Sequence, residues 1–225
     1  MIVAERKPFD RIRAMLSDCK SVLVAGCGTC VAVCLAGGEK EAKILAKELL
    51  LAARAEGREI RVDAACVQRQ CDMEFLAQLD EKMAEYDCVV SMACGAGVQF
   101  MAERFPEKPI FPGVDTTHIG VNRDVGRYEE RCRACGECVL GDTGGVCPVT
   151  MCAKGLFNGP CGGTSGESCE VNPDQPCAWV QIYKRLSAQG RLEKMMAIPE
   201  PRDWSGTTPR KTVQPGYEKP EGEKS

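Results

Sequence analysis

The sequence predicts an α/β fold: a small parallel sheet with flanking helices, followed by a cysteine-rich irregular segment, a helix and a flexible tail. Three observations lead to this prediction. Short apolar runs alternate with helical patterns between about residues 20 and 113, which is typical of a parallel sheet. That periodicity is lost over residues 132–177 and returns over Trp179–Met196. The 225-residue chain also contains 16 cysteines, far more than an ordinary globular protein.

The individual elements follow from local patterns. Ser21–Ala25 is an apolar run that predicts a buried strand, and Gly38–Glu56 has apolar residues at helical spacing before the stop signal Gly57. Prolines flank the last apolar run, which predicts an edge strand. The other predicted elements are a surface helix over Met1–Asp18, a strand over Glu59–Ala64, a helix over Asp72–Tyr86, a strand over Asp87–Met92, a helix over 96–104 and the edge strand over Lys108–Phe111.

Three domains are predicted: an α/β domain over 1–115, a cysteine-rich iron–sulfur domain over 116–198 and a flexible tail over 199–225. The net charge of −3 argues against a basic surface for nucleic acid. No apolar run reaches the roughly 18 residues of a membrane span, and no segment resembles a signal peptide. We therefore expect a cytoplasmic protein with neither nucleic acid nor membrane as a partner.

The cysteines predict metal ligation. Disulfide-rich proteins carry an export signal and usually lack an independent core, whereas this chain has no such signal and its first half has the apolar runs of a core. Many of the thiols also lie two to four residues apart, a spacing that brings neighbours to one metal. Cys19 and Cys88 are expected to be inert, because each lies in or beside a hydrophobic element without a neighbouring cysteine.

The first cysteine set follows the ends of the predicted strands. Its members are Cys27, Cys30, Cys34, Cys66, Cys71 and Cys94. Because the carboxyl ends of parallel strands share one edge of a sheet, we expect these thiols to converge, with nearby helix N-termini lowering their pKa values. The triplet in the first turn needs one further thiolate to hold a four-iron cluster. Cys94 or Cys71 is the predicted fourth ligand, and Cys66 is the reserve.

The second cysteine set lies in the irregular segment. Its members are Cys132, Cys135, Cys138, Cys147, Cys152, Cys161, Cys169 and Cys177. It opens with the C-x2-C-x2-C triplet of bacterial ferredoxins, and eight thiols are what two four-cysteine clusters require. Gly159, Gly162 and Gly163 would allow backbone amides to approach sulfur. The segment is too poor in apolar residues to order itself, so we expect metal to organise it; structural zinc is the alternative at one site or more.

The single histidine, His118, is predicted to lie in a loop near the end of the fourth strand. No acid–base or nucleophilic group accompanies it in the sequence, so an ordinary surface or hydrogen-bonded loop histidine is expected. No catalytic residue is predicted.

These motifs resemble a known family. The segments GCGTCVAVCLAGGEKE, RQC, CGAGVQ, CRACGECVL, GGVCPVTMCAKGLFNGPCGG and CAWVQIYKRL are similar to those of the small cysteine-rich subunit, called MetV, of two-subunit methylenetetrahydrofolate reductases. The same module is the methylenetetrahydrofolate reductase C-terminal domain family. The resemblance extends over about residues 5–200, which includes both cysteine sets.

The resemblance implies a non-catalytic electron-transfer subunit of an oxidoreductase complex. The implied partner is a catalytic subunit that carries flavin on a (β/α)8 barrel and converts methylenetetrahydrofolate to methyltetrahydrofolate in one-carbon metabolism, the Wood–Ljungdahl pathway. Electrons would come from a donor protein or an oxidoreductase complex. The implied cofactors are two [4Fe–4S] clusters on the eight thiols of the second half and one on the first set, with zinc as the alternative at one of them.

Two other functions stay open at this point. A zinc-stabilised scaffold for the catalytic subunit would use the same thiols, and so would a methyl-transfer module with an activated zinc thiolate. The ferredoxin-like triplet favours electron transfer over both.

Overall fold

The computed structural model describes residues 1–198, 200–201, 203–204 and 210–217. The strands are β1 (Ile2–Arg6), β2 (Ser21–Cys27), β3 (Arg61–Val67), β4 (Cys88–Ser91), β5 (Ile110–Pro112), β6 (Val114–Asp124) and β7 (Arg127–Cys132). The helices are α1 (Phe9–Met15), α2 (Cys30–Val33), α3 (Glu39–Ala55), α4 (Met73–Leu76), α5 (Asp80–Met83), α6 (Gly95–Arg104), α7 (Pro148–Met151), α8 (Ala178–Ala188) and α9 (Glu193–Met196).

A parallel sheet of four strands, in the order β3-β2-β4-β5, confirms the predicted α/β class. β2 is central because its residues are almost entirely apolar and all but the first are buried. β5 lies at the edge, as the flanking prolines predict, since proline lacks the amide that a second neighbour would need. All the strand pairs of this sheet are parallel, so their carboxyl ends lie along one edge.

The helices of the α/β part follow the predicted apolar spacing with one difference. α3 buries residues three and four positions apart against the sheet and ends before Gly57, whose φ of +70° is the left-handed conformation that glycine favours. The single helix predicted over Asp72–Tyr86 is wrong: α4, a 3-10 turn at Ala77–Leu79 and α5 replace it. The expected apolar residues are nevertheless buried there, because the 3-10 turn keeps them on one face.

The N-terminal segment also differs from the prediction. Met1–Asp18 is not a single surface helix, since Ile2–Arg6 forms β1 and pairs antiparallel with β6. β6 pairs in turn with β7, which gives a second sheet in the order β1-β6-β7. The pairing joins residues more than a hundred positions apart, and no local sequence pattern predicts it. The predicted domain boundary after residue 115 falls inside β6, and His118 lies in this strand instead of a loop.

The second half has a small apolar core of its own. Val146 of the irregular segment packs with Ala178, Trp179, Ile182 and Leu186 of α8, all of them buried. Most of this core comes from α8 and not from residues 132–177, which are poor in apolar residues as the sequence indicates, so α8 supplies an apolar face that the segment lacks.

The tail predicted over 199–225 lies largely outside the described residues. The part of it that the structure describes has neither helix nor strand. Among the described helices, none combines the length and the apolar composition that a membrane crossing requires.

A polar network secures the edge strand β3 to the chain after α5. The buried Tyr86 hydroxyl donates to Asp63 Oδ2 at 2.7 Å and accepts from Arg61 at 3.1 Å, and the Arg61 guanidinium lies 4.6 Å from the centre of the Tyr86 ring. Burial, followed by the Asp63 carboxylate, raises the pKa of Tyr86 to about 12. The neutral phenol is thus much more stable than the phenolate at this place.

We expect Tyr86→Phe to lower the free energy of unfolding at pH 7 by about 1 kcal/mol, the usual net value of one hydrogen bond. The pKa of Tyr86 is raised in the folded state, so its contribution is complete below about pH 10 and is lost as the pH rises toward 12. In urea unfolding measured from pH 8 to 11.5, the free energy of unfolding should therefore fall less steeply with rising pH in Tyr86→Phe than in the parent. Tyr183→Phe, on an exposed ring, is the control; identical alkaline slopes for Tyr86→Phe and the parent would contradict the assignment.

Candidate functional site

The first cysteine set lies at the carboxyl edge of the parallel sheet. Cys27 ends β2, and Gly26 pairs in register with Cys66 of β3. Cys30 is the first residue of α2, and Cys94 directly precedes α6. The Gly28 amide donates to the Val67 carbonyl at 2.9 Å, which fixes the first turn against the chain that leads to Cys71. The strand-end positions are those that the sequence predicts.

Electrostatic interactions indicate which of these thiols lie near one another. Partial desolvation raises the pKa of Cys71, and the thiolate charges of Cys94, Cys27 and Cys30 raise it further. Burial likewise raises the pKa of Cys66, with Cys27 the next largest cause. Such interactions between partly exposed charges extend over about one Debye length, ~10 Å. The edge therefore brings together thiols from three different loops.

Cys34 bonds to β1, and the thiolate charge of Cys30 also acts on it. Its thiol donates to the Ile2 carbonyl of β1 at 3.4 Å, and burial raises its pKa. The expectation that helix N-termini lower the thiol pKa values is thus wrong for Cys34, Cys66 and Cys71. Burial is the largest cause at each of the three, and Cys34 follows the carboxyl end of α2, where the helix dipole disfavours a thiolate.

The two cysteines predicted to be inert contact each other. Cys88 is completely buried in β4, and burial followed by a hydrogen bond with Cys19 raises its pKa. A protonated thiol in an apolar core behaves as a small hydrophobic side chain.

The second cysteine set begins where the antiparallel sheet ends. Cys132 is the last residue of β7 and pairs with Ile119 of β6, which in turn pairs with Ile2 of β1. Neighbouring strands are about 4.8 Å apart, so the backbone of Cys132 lies roughly 10 Å from that of Ile2, whose carbonyl accepts the Cys34 thiol. The antiparallel sheet therefore places the start of the second set close to one member of the first.

The triplet after β7 forms a tight loop that the tail contacts. Ala134 has a φ of +50°, and its amide donates to the Cys132 sulfur at 3.3 Å. The Arg210 guanidinium donates to the carbonyls of Ala134 and Cys135 at 2.7 and 3.2 Å. Trp204 also lines a cleft of about 650 Å³ beside Cys135. The described part of the tail thus covers one side of this loop.

The other thiols of the second set surround α7 and α8. Cys147 and Cys152 lie at the two ends of α7 and line a cleft of about 830 Å³ together with Arg131, Arg133 and Arg185. Cys177 directly precedes α8. These positions put cationic side chains next to two of the predicted ligands.

Two further thiols accept hydrogen bonds from the backbone. The Cys161 sulfur accepts from the Gly163 amide at 3.4 Å, at one of the glycines predicted to do this. The pKa of Cys169 is lowered, chiefly by the backbone amides of Asn172 and Val171. Amide donors of this kind favour the thiolate form, which is the form that binds metal.

The side chains are not drawn together around a single point. Among the described residues, no three His, Cys, Asp or Glu side chains are close enough to hold a metal ion. The chemistry of the donors nevertheless fits a thiolate-ligated metal or cluster: every candidate ligand is a cysteine, and amides already donate to the sulfur of Cys132 and Cys161. The ligand assignments and the metal stay predictions.

His118 occupies an interior position on the antiparallel sheet. It pairs in register with the buried Val3, and its Nε2 atom is buried without a hydrogen-bond partner among the described residues. The hydrogen-bonded loop histidine predicted from the sequence is therefore not what the structure contains.

Comparison with protein families identifies part of the chain. Residues 111–205 match the family model described as methylene-tetrahydrofolate reductase C terminal. This segment belongs to that family. The match covers all eight thiols of the second set and confirms the resemblance to a methylenetetrahydrofolate reductase-related subunit there. The methylene-tetrahydrofolate reductase C-terminal segment begins at β5, so the first cysteine set lies before it. Comparisons with curated proteins and with solved structures found no match to the chain.

Sequence reasoning missed several polar residues that contact the cysteine loops. Gln70 is buried beside Cys71, and Arg210 binds the triplet loop although 75 positions separate it from Cys135. A glutamine next to a cysteine has no distinctive pattern, and a long-range contact from a proline-containing tail has none either. Only the three-dimensional arrangement reveals them.

Proposed function

We propose that this chain is an iron–sulfur electron-transfer subunit that passes electrons to the flavin of a methylenetetrahydrofolate reductase catalytic subunit. One observation supports the proposal: the antiparallel sheet of β1, β6 and β7 links Ile2, whose carbonyl accepts the Cys34 thiol, to Cys132, the first thiol of the segment that matches the reductase C-terminal family. The catalytic subunit would convert methylenetetrahydrofolate to methyltetrahydrofolate, and this chain would take no part in that step.

The proposed ligands of the first set are thiols of the sheet edge. Charge interactions link Cys71 with Cys94, Cys27 and Cys30, which come from three loops held by one sheet, and they also link Cys34 with Cys30. Cys34 would then lie between the two sets, bonded to β1. When bound, [4Fe–4S] clusters supply one-electron transfer, and the protein contributes ligation, orientation and hydrogen bonds to sulfur.

The proposed ligands of the second set are the eight thiols of the reductase family segment. The amides of Ala134 and Gly163 hold the sulfurs of Cys132 and Cys161 in place. Arg133 and Arg185 line the cleft beside Cys147 and Cys152 together with Glu130, which pairs with Arg133, so the cleft carries charges of both signs. Cys132 and Cys138 are exposed, which leaves the triplet accessible to a redox partner.

Anaerobic metal and sulfide analysis tests this proposal. The full chain, purified without oxygen, should be brown and contain iron and acid-labile sulfide in nearly equal amounts. After reduction by dithionite and desalting, it should bleach the flavin of an added catalytic subunit. A colourless chain that contains only zinc would overturn the electron-transfer role and favour a zinc-stabilised scaffold.

A further inference from the structure

Gln70 is a completely buried polar residue that lies in the sequence between Cys66 and Cys71, two cysteines of the first set. Its side chain is 0% exposed, although it follows an exposed loop and directly precedes the exposed Cys71. A buried amide is stable only when its donors and its acceptor are paired. The hydrogen-bond partners of the Gln70 side chain therefore show which parts of the chain it holds together.

The Gln70 amide connects two strands of the parallel sheet. Its Nε2 donates to the carbonyls of Ala25 and Gly26 at 2.9 and 3.0 Å, and its Oε1 accepts from the Ser91 hydroxyl at 2.6 Å. Two carbonyls on one side and one hydroxyl on the other identify which amide atom is nitrogen. Both donors and the acceptor of the amide are thus paired.

These contacts lie where strand pairing stops. Ala25 is the last residue of β2 that pairs with β4, opposite Ser91, while β2 continues to Cys27 along β3. The Ala25 carbonyl also accepts from the Met92 amide at 2.8 Å, so the Gln70 side chain adds to the backbone pairing at Ala25 and extends it to Gly26. The chain on both sides of these contacts leads directly to cysteine: Gly26 to Cys27, and Ser91 through Ala93 to Cys94.

Helix α6 packs closely against the side of Gln70 that makes no hydrogen bonds to the strands. A Cβ atom at Gly97 would lie 3.1 Å from the Gln70 Cβ and 2.8 Å from the Ala93 Cβ, so glycine permits the approach of α6. The Ser91 hydroxyl also lies 3.4 Å from the Ala93 amide. The first turn of α6, which Cys94 precedes, is therefore held against Gln70.

We propose that Gln70 is a positioning residue that sets the distances between the Cys27, Cys71 and Cys94 sulfurs. It joins the three loops that carry these thiols, and its hydrogen bonds leave it one conformation. The backbone that carries the three thiols is thus held in place before iron arrives. This inference rests on the proposed function, because it assumes that the first set binds a cluster.

The test compares the full chain with Gln70→Met, which keeps the length of the side chain and removes all its hydrogen bonds. Iron and sulfide of the anaerobic proteins should fall by about one third, one cluster of three with four cysteines each, and the electron paramagnetic resonance signal of that cluster should be lost. Gln99→Met is the matched control, since Gln99 is an exposed glutamine on α6 that bonds only to Gly95. It should retain the parent's iron and spectrum.

Ser91→Ala gives a milder second variant in case Gln70→Met does not fold. It removes one partner of the Gln70 amide and leaves both bonds to β2, so it should shift the resonance signal of the first cluster without loss of iron. Unchanged iron and spectra in both variants would overturn the role of Gln70 while the proposed function stands. A parent chain without iron would overturn both.

Discussion

Cys135→Ser is expected to remove about one cluster's worth of iron, roughly a third of the total, because a four-iron cluster needs all four of its cysteine ligands. Cys135 is the middle thiol of the triplet, and its loop is fixed by the Ala134 amide on one side and by Arg210 on the other. Residues 133–140 form neither helix nor strand, so loss of the cluster should also loosen the loop. Iron analysis, absorbance near 400 nm and hydrogen exchange over residues 132–140 measure the two effects.

Cys19→Ser is the matched control for this variant. Cys19 lies outside both cysteine sets and bonds to the buried Cys88, so its removal should leave the iron content unchanged. Equal iron in Cys135→Ser and the parent would show that the triplet is not a ligand set. Iron loss in Cys19→Ser as well would show that the two thiols taken as inert have been misassigned.

Ile182→Ala is expected to lower the free energy of unfolding of the second half by about 2–5 kcal/mol, the usual cost of truncating a fully buried isoleucine. Ile182 is 0% exposed and packs in the small core that α8 shares with Val146 and Leu186. Few other buried residues pack against the irregular segment. Little of the surrounding structure can therefore relax to fill the cavity that the truncation of Ile182 leaves. Hydrogen exchange should rise over 143–190 and stay unchanged over β2 and α3.

Tyr183→Ala provides the comparison on the same helix. Tyr183 follows Ile182 directly and is 52% exposed, so its truncation should change the unfolding free energy by less than about 1 kcal/mol. If the two alanine variants unfolded at the same denaturant concentration, metal alone would organise the segment. The apolar core would then contribute little.

The sequence predicts the parallel sheet well because its signals are local. The apolar run of β2, the helical spacing of α3 and the prolines around β5 each act within a few residues, and the structure confirms all three. β1 could not be predicted in this way. Its partner β6 lies more than a hundred residues away, and a short segment of mixed charge and apolar residues fits an amphipathic helix equally well.

The same distinction between local signals and long-range contacts applies to the candidate site. The rule that strand ends share an edge predicts where Cys27, Cys66 and Cys94 lie, since it depends only on topology. The lowered pKa values expected at Cys34, Cys66 and Cys71 are wrong, because burial, which depends on the whole surrounding structure, raises them. The contact of Cys34 with Ile2 and that of Arg210 with the triplet loop could not be read from spacing, because both involve chain segments that are remote in sequence.

The pairing of β1 with β6 also has a consequence for biosynthesis. The partner residues in β6 follow β1 more than a hundred codons later. At about 5–20 residues per second, β1 therefore waits on the order of ten seconds for the strand with which it pairs.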